Sequence, residues 1–158
     1  MSAIVDEVAP LLKQEERVII LGDFNGCSPR DEAFLVANAS LRERDYTFVD
    51  RVEAKGFVDV VHKHDPAAKV SCPSPITIPR WSKDLAELKL KRYRIDFVFA
   101  DNVLAKDSRS GTISLSKEID NISDHYPVIV EFNISKVHVG GCQEFVPEPH
   151  SMLPIPSE

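Results

Sequence analysis

Apolar positions in this chain fall into short blocks rather than one long periodic run. Ile4, Val5, Val8, Leu11 and Leu12 recur at three- and four-residue intervals, which predicts an amphipathic helix bent near Pro10. Val18-Ile19-Ile20-Leu21 is unbroken, closed by Gly22 and too short for a helix, so it predicts a strand covered on both faces with Asp23 emerging at its C-terminal end. Ser28 and Pro29 are placed to cap and open a helix over residues 30–38. Another helix is predicted over Tyr46 to Lys55, with Phe48, Val49 and Val52 on one face and Gly56 as its stop. Phe57 to Val61 follows as a short apolar segment. Four prolines between Asp65 and Pro79 predict a long loop with one brief extended piece around Ile76-Thr77-Ile78. A short helix capped by Ser82 comes next, then strands at 94–100, 112–116 and 127–134, each short and bounded by turn residues. Gly140-Gly141 and the prolines beyond them predict a poorly ordered tail over 137–158.

Composition narrows the class. A chain of 158 residues, 43% hydrophobic and 28% charged, has the size and balance of one globular domain. Its formal net charge of -6 opposes nonspecific attraction to a polyanionic backbone, so duplex DNA is not the default partner. Cys27, Cys72 and Cys142 are odd in number and widely spaced, which indicates neither a disulfide framework nor a zinc site and favours a reducing compartment. The first residues carry no secretion signal, and no run approaches the roughly 18 to 20 apolar residues of a membrane span. A cytoplasmic location without a transmembrane segment is the expectation.

Three segments carry candidate chemistry. In Arg94-Ile95-Asp96-Phe97-Val98-Phe99, strand alternation puts Ile95, Phe97 and Phe99 on one face and Asp96 and Val98 on the other. Both faces are largely apolar, so the Asp96 carboxylate is expected to be buried and to need a donor or cation nearby. His125, in Ser123-Asp124-His125 at the mouth of the last strand, is the candidate. A carboxylate on one imidazole nitrogen fixes the tautomer and leaves the other nitrogen to face a phosphate or water. Asp23 and Asn25, in Gly22-Asp23-Phe24-Asn25, can present a carboxylate and an amide on one side of an extended turn. Taken singly, each has a plainer reading: an Asp-x-Asn turn, a structural histidine, a buried ion-pair partner.

In this order the three segments resemble the second half of the endonuclease/exonuclease/phosphatase superfamily, the deoxyribonuclease-I-like metal-dependent phosphodiesterases and phosphatases, over about residues 4 to 134. The resemblance implies an α+β fold: a partial four-layer α/β sandwich, mostly antiparallel sheet flanked by helices, with the second sheet largely missing. It implies that residues 1–136 form the C-terminal portion of such a domain. Matched by motif position, Asp23 positions or activates the nucleophilic water, Asn25 helps stabilise the pentacovalent phosphate, and Asp96 orients His125. His125 contacts or protonates around the scissile phosphate, and Asp124, with Asp23, lies at the metal site. The implied cofactor is Mg2+ or Mn2+, acting as Lewis acid and charge clamp. The substrate is a phosphate ester, with a small molecule or lipid headgroup favoured over duplex DNA by the acidic balance.

The chain also departs from that pattern. The family's metal-holding glutamate lies on a strand well before the Gly-Asp-Phe-Asn turn, and only 22 residues precede Asp23. None of Glu7, Glu15 or Glu16 sits in a matching motif. Weak metal binding and an uncovered inner sheet face are therefore expected, and such a face calls for self-association or a complementary half. The alternative is a non-catalytic homologue that binds a partner through that face. A third is an unrelated small α/β domain. Outside the three motifs, His62-Lys63-His64-Asp65 could ligate a metal or simply lie on the surface. The basic run 80–94 either meets substrate phosphates or is a solvated segment with a Lys83-Glu87 pair, and Trp81 either stacks on substrate or anchors its loop.

Overall fold

A computed structural model of the chain describes residues 17–37 and 46–133, together with Asp6 and Pro10. The helix expected around Pro10 and the tail over 137–158 therefore lie largely or wholly outside the described residues.

The first strand is β1 (Ile19–Asp23), followed by a 3-10 turn (Pro29–Asp31) that runs into α1 (Glu32–Ala37). Next come α2 (Thr47–Ala54), β2 (Phe57–Asp59) and α3 (Val60–His64). A second 3-10 turn (Pro75–Thr77) precedes α4 (Leu85–Lys89), β3 (Asp96–Asp101), α5 (Asn102–Asp107), β4 (Ser108–Ile113) and β5 (Val128–Phe132). Strand β3 is central, paired antiparallel with β1 on one side and β2 on the other, while β4 and β5 form a separate antiparallel pair. The result is a mixed α+β architecture of antiparallel sheets and helices.

Short elements hold because their ends are satisfied. Ser28 Oγ accepts the Arg30 amide at 3.2 Å, as its place before Pro29 predicts. Asp59, Asp84 and Asp101 cap α3, α4 and α5 in the same way, each interaction contributing about 1 kcal/mol. Asp101 also ties the start of β1 to the end of β3, because Oδ1 accepts the Val103 and Leu104 amides while Oδ2 accepts the Val18 amide at 2.8 Å.

One face of β3 carries the main core. Phe97 and Phe99 stack on each other with Phe24 and Phe48 alongside, and Val18, Ile20, Val49, Val52 and Phe57 complete the cluster. On the far side Ala100, Val60, Leu104 and Ala105 meet Val130 and Phe132 of β5, which joins the two groups of strands into one packed body. Gly111 of β4 lets α3 approach: a Cβ there would lie 2.7 Å from the Val60 carbonyl oxygen.

Several expectations change. Strand β1 is not covered on both faces; Ile20 is buried, but Ile19 and Leu21, on the opposite face, are 41% and 68% exposed. The apolar segment from Phe57 breaks at Asp59, whose side chain accepts the His62 amide and starts a helix, so His62 and His64 lie on α3. Ile76 and Thr77 are in a 3-10 turn rather than an extended piece, with Pro75 opening it. Asp84, not Ser82, caps α4, and Ser82 is buried. Glu87 pairs with Lys91 at 2.7 Å; Lys83 gives it only a backbone amide. The strand expected at 112–116 begins earlier, at Ser108, since α5 leads straight into it.

A charge cluster lies at the centre of the packing. The Arg94 side chain is fully buried, with Nε bonded to Asp31 Oδ2 at 2.8 Å and its face over the Phe97 ring. Nη1 lies 2.8 Å from Asp59 Oδ2, a charge contact not aligned as a hydrogen bond. Lys69 reaches Asp31 Oδ1 at 2.7 Å, so two cations offset two carboxylates. Isolated, any of these charges would cost several kcal/mol to bury. Together they fix the segment after the Asp23 turn, the end of β2 and the start of β3 relative to one another.

Candidate active site

Antiparallel register brings the first two carboxylates together: Asp23, the last residue of β1, is paired with Asp96, the first of β3. Gly22 adopts φ 144°, a conformation an L side chain rarely tolerates, and Asn25 adopts φ 50°. The Asn25 amide donates to Asp23 Oδ1 at 2.8 Å, so the turn is closed by the carboxylate itself. Phe24 points into the aromatic core between them, its amide bonded to the Ile95 carbonyl, which leaves Asp23 and Asn25 exposed.

His125 meets Asp96 from the other side. Its Nδ1 lies 2.8 Å from Asp96 Oδ2, with the His125 side chain 27% exposed and that of Asp96 15%. Asp96 is thus partly rather than fully buried, because it sits at the strand end and not in its body. Asp124 is exposed; it lines a cleft of about 390 Å³ with Ser123, Ile122, Thr77, Arg80 and Trp81.

The Cys72 thiol is buried nearby in the chain's core. Burial pushes Cys72 up to about 12, and the charges of Asp96, Asp23 and Asp124 push in the same direction against a hydrogen bond from Tyr93. Cys72 itself is closed to solvent.

Residues that the sequence did not single out hold this arrangement. Ser71 Oγ accepts the Ile95 and Asp96 amides at 3.0 and 3.2 Å, and the Ser71 carbonyl accepts the Tyr126 amide at 2.7 Å. One buried serine thus fixes the backbone on both sides of the Asp96 to His125 contact. Ser74 adds a second clasp, its amide donating to the Asp124 carbonyl at 2.9 Å and its hydroxyl to the Ser123 carbonyl. Tyr126, buried after His125, donates to Asp120 at 2.8 Å and accepts from Arg92 at 2.8 Å. Burial and the Asp120 bond push the Tyr126 phenol up to about 12, against the lowering effect of Arg92. The available signal was weak: small polar residues among the prolines of 65–79, which a loop reading absorbs.

His62 and His64 form no metal centre. Burial lowers the His62 pKa, and His64 Nε2 lies 2.7 Å from Ser108 Oγ on the β4 side. Among the described residues, no three His, Cys, Asp or Glu side chains gather closely enough to hold a metal ion. A magnesium ion needs only one or two carboxylates when substrate phosphate and water complete its shell. Asp23 and Asp124, both exposed, are the carboxylates from which this chain would contribute to such a shell.

The chain has part of the deoxyribonuclease-I-like endonuclease/exonuclease/phosphatase fold. Solved structures carry that statement. The chain is similar to NExo, a 3′-5′ exonuclease from Neisseria meningitidis, with TM-score 0.60 and 19% identity over 84% of this chain and 51% of that one. It is similar to an AP endonuclease from Archaeoglobus fulgidus, with TM-score 0.61 and 19% identity over 82% of this chain and 51% of that one. The APE2 catalytic domain from Xenopus laevis gives TM-score 0.54 and 20% identity over 82% of this chain and 40% of that one. The chain therefore spans about half the length, or less, of the solved structures it matches. No family model matches it, and no curated protein does. These neighbours are nucleases and phosphatases, and one Neisseria NExo structure is bound to a product DNA hairpin, so the expected preference for a small molecule over DNA finds no support in them. Among the described residues no helix is long and apolar enough to cross a membrane.

Proposed function

We propose that this chain carries the histidine side of a phosphoesterase active site, in which water displaces the alcohol of a phosphate ester. The observation that carries this reading is the Asp96-His125 contact at 2.8 Å, set beside the Asp23-Asp96 register pair. Asp96 accepts from Nδ1 and holds the ring, leaving Nε2 to face the phosphate. Asp23 takes the proton of the attacking water as the new P–O bond forms. The Asn25 side-chain NH2 donates to the negative charge that develops on the phosphoryl oxygens. His125 contacts that phosphate and gives a proton to the departing alkoxide as the ester P–O bond breaks. Asp23 and Asp124 are the positions from which this chain would hold a divalent ion, which would supply charge stabilisation at the phosphate.

Hydrolysis of bis-p-nitrophenyl phosphate and of a 3′-phosphorylated DNA hairpin, each with and without magnesium or manganese, tests the reading and its substrate class. His125→Ala should reduce turnover by about 10²- to 10⁴-fold. Turnover that survives this substitution sinks the mechanism.

The exposed Ile19 and Leu21 on edge strand β1 favour a second reading, a non-catalytic chain that binds a partner through that face. It predicts tight self-association or association in sedimentation, with no turnover of either ester. A monodisperse monomer contradicts it.

A further inference from the structure

Residues 73–92 leave the body of the protein as one closed excursion. Cys72 and Tyr93 join at its neck, the Tyr93 amide donating to the Cys72 carbonyl at 2.8 Å and the Cys72 amide to the Tyr93 carbonyl at 3.1 Å. Inside it the 3-10 turn and α4 are tied together at Trp81, whose amide donates to the Thr77 carbonyl at 2.9 Å and whose carbonyl accepts from Lys91 Nζ at 2.6 Å. Leu88 is the inward residue of α4 and is fully buried. The opposite face is not the polar face that a helix in water requires, because Leu85, Lys89 and Leu90 are exposed on it. With Ile76 and Trp81 they give the excursion four large apolar side chains that are each 40% to 52% exposed. Its charge is opposite to that of the chain: Arg80, Lys83, Lys89, Lys91 and Arg92 stand against Asp84 and Glu87, within a net charge of -6. Lys91 is held by Glu87 and Arg92 by Tyr126, whereas Arg80, Lys83 and Lys89 are exposed and form no ion pair among the described residues.

We propose that this excursion docks the protein on an anionic lipid surface, with Trp81, Leu85 and Leu90 entering the headgroup region and Arg80, Lys83 and Lys89 meeting lipid phosphates. The inference is independent of the hydrolytic reading, since none of Asp23, Asn25, Asp96 or His125 lies on the excursion. Charge complementarity sets the orientation: a chain of -6 is repelled from an anionic surface on average, so it approaches by the stretch of opposite sign. The exposed apolar side chains select lipid over other polyanions. A nucleic-acid backbone offers leucines no apolar medium, whereas a bilayer interface takes aliphatic side chains to the acyl boundary and holds a tryptophan at headgroup level. Lysine selects lipid over protein. The core of a protein interface is depleted in lysine, whereas beside lipid the Lys89 stem covers apolar surface and its ammonium stays among the headgroups. Three cations and a short apolar face give reversible attachment rather than insertion, and among the described residues no helix is long and apolar enough to cross a membrane.

Trp81 is the one tryptophan of the chain, so its emission reports this docking without reference to turnover. Vesicles of phosphatidylcholine with about 30% phosphatidylserine should shift that emission to the blue and shield it from acrylamide, whereas vesicles of phosphatidylcholine alone should not. Co-sedimentation with the same vesicles should show the same preference and lose most of the binding at about 0.5 M salt. Lys89→Ala should lower partitioning about fivefold, and Lys83→Glu combined with Lys89→Glu should abolish it. Leu85→Ser should lower it by about fivefold as well. Ile129→Ser, at an exposed apolar position on β5, should leave it unchanged. All these positions are exposed, and far-UV circular dichroism of each variant shows that the fold is kept. No blue shift by about 1 mM lipid, or equal binding to vesicles without phosphatidylserine, overturns the proposal. Binding that survives both the double charge reversal and Leu85→Ser overturns it too, because another surface then carries it. If a single-stranded oligonucleotide shifts the Trp81 emission where the vesicles do not, the excursion is a nucleic-acid surface and the lipid assignment falls.

Discussion

Two carboxylate-cation arrangements begin within two residues of each other on the same stretch of chain, in opposite surroundings. Arg94 is sealed between Asp31 and Asp59, while Asp96 meets His125 at the surface end of the sheet. An arginine keeps its proton at any pH a protein survives, so the buried cluster is a set of fixed charges that can only hold parts together. An imidazole can give or take a proton at a ring nitrogen, so the open pair is where a proton can move. The same stretch thus carries a scaffold and a candidate reactive group, and what separates them is solvent access as much as residue type.

Cutting each pair should therefore give very different results. Arg94→Ala leaves Asp59 without its cation and Asp31 with Lys69 alone, and should cost about 3–5 kcal/mol, read as a lower urea midpoint, or prevent folding outright. Asp96→Asn leaves a hydrogen-bonding side chain at a partly open position and should cost about 1 kcal/mol or less in the same assay, while it lowers turnover. If the two substitutions destabilise equally, the contrast between scaffold and reactive pair is wrong.

Ser71 links the two regions, since it grips β3 just past Arg94 and the backbone after His125. Ser71→Ala removes the acceptor for the buried Ile95 amide and the Asp96 amide, at about 1–3 kcal/mol. As a positioning residue it should also lower kcat with little change in KM, because the His125 contact loosens without loss of a substrate-binding group. A stability loss with kcat unchanged would leave Ser71 a structural role only.

How much of this the sequence revealed follows the same division. Asp23, Asp96 and His125 were legible because short motifs carry them at strand ends, and the alternation of Phe97 and Phe99 gave the core face correctly. The Asp31-Arg94-Asp59 cluster was not legible, since Arg94 lies far along the chain from both carboxylates and no local pattern marks a charge for burial. The clasp by Ser71 and Ser74 was hidden for a related reason: a loop rich in proline gives no periodicity, and its hydrogen bonds join segments distant in the chain. Strand β1 misled in the other direction. An all-apolar run predicts two covered faces, whereas Ile19 and Leu21 face solvent in the described structure.

The smallest effect tests whether burial or the open site's charges dominate at the boundary between the regions. Cys72 is buried, and its thiol is raised from 9.0 to about 12, with burial the first cause and the charges of Asp96, Asp23 and Asp124 acting in the same direction. Above pH 9 the unfolded chain loses this proton before the folded chain does, so stability contributed by the neutral thiol is full below that pH and falls as pH rises toward the folded value. From about pH 9 to 10, before the tyrosines contribute much, wild type should lose about 1 kcal/mol relative to Cys72→Ala in urea titrations. Adding Asp96→Asn should leave most of that difference in place, because burial outweighs the carboxylate. If Asp96→Asn abolishes it, the field of the open site reaches further into the fold than its exposure implies, and the separation between fixed scaffold and reactive end must be redrawn around Cys72.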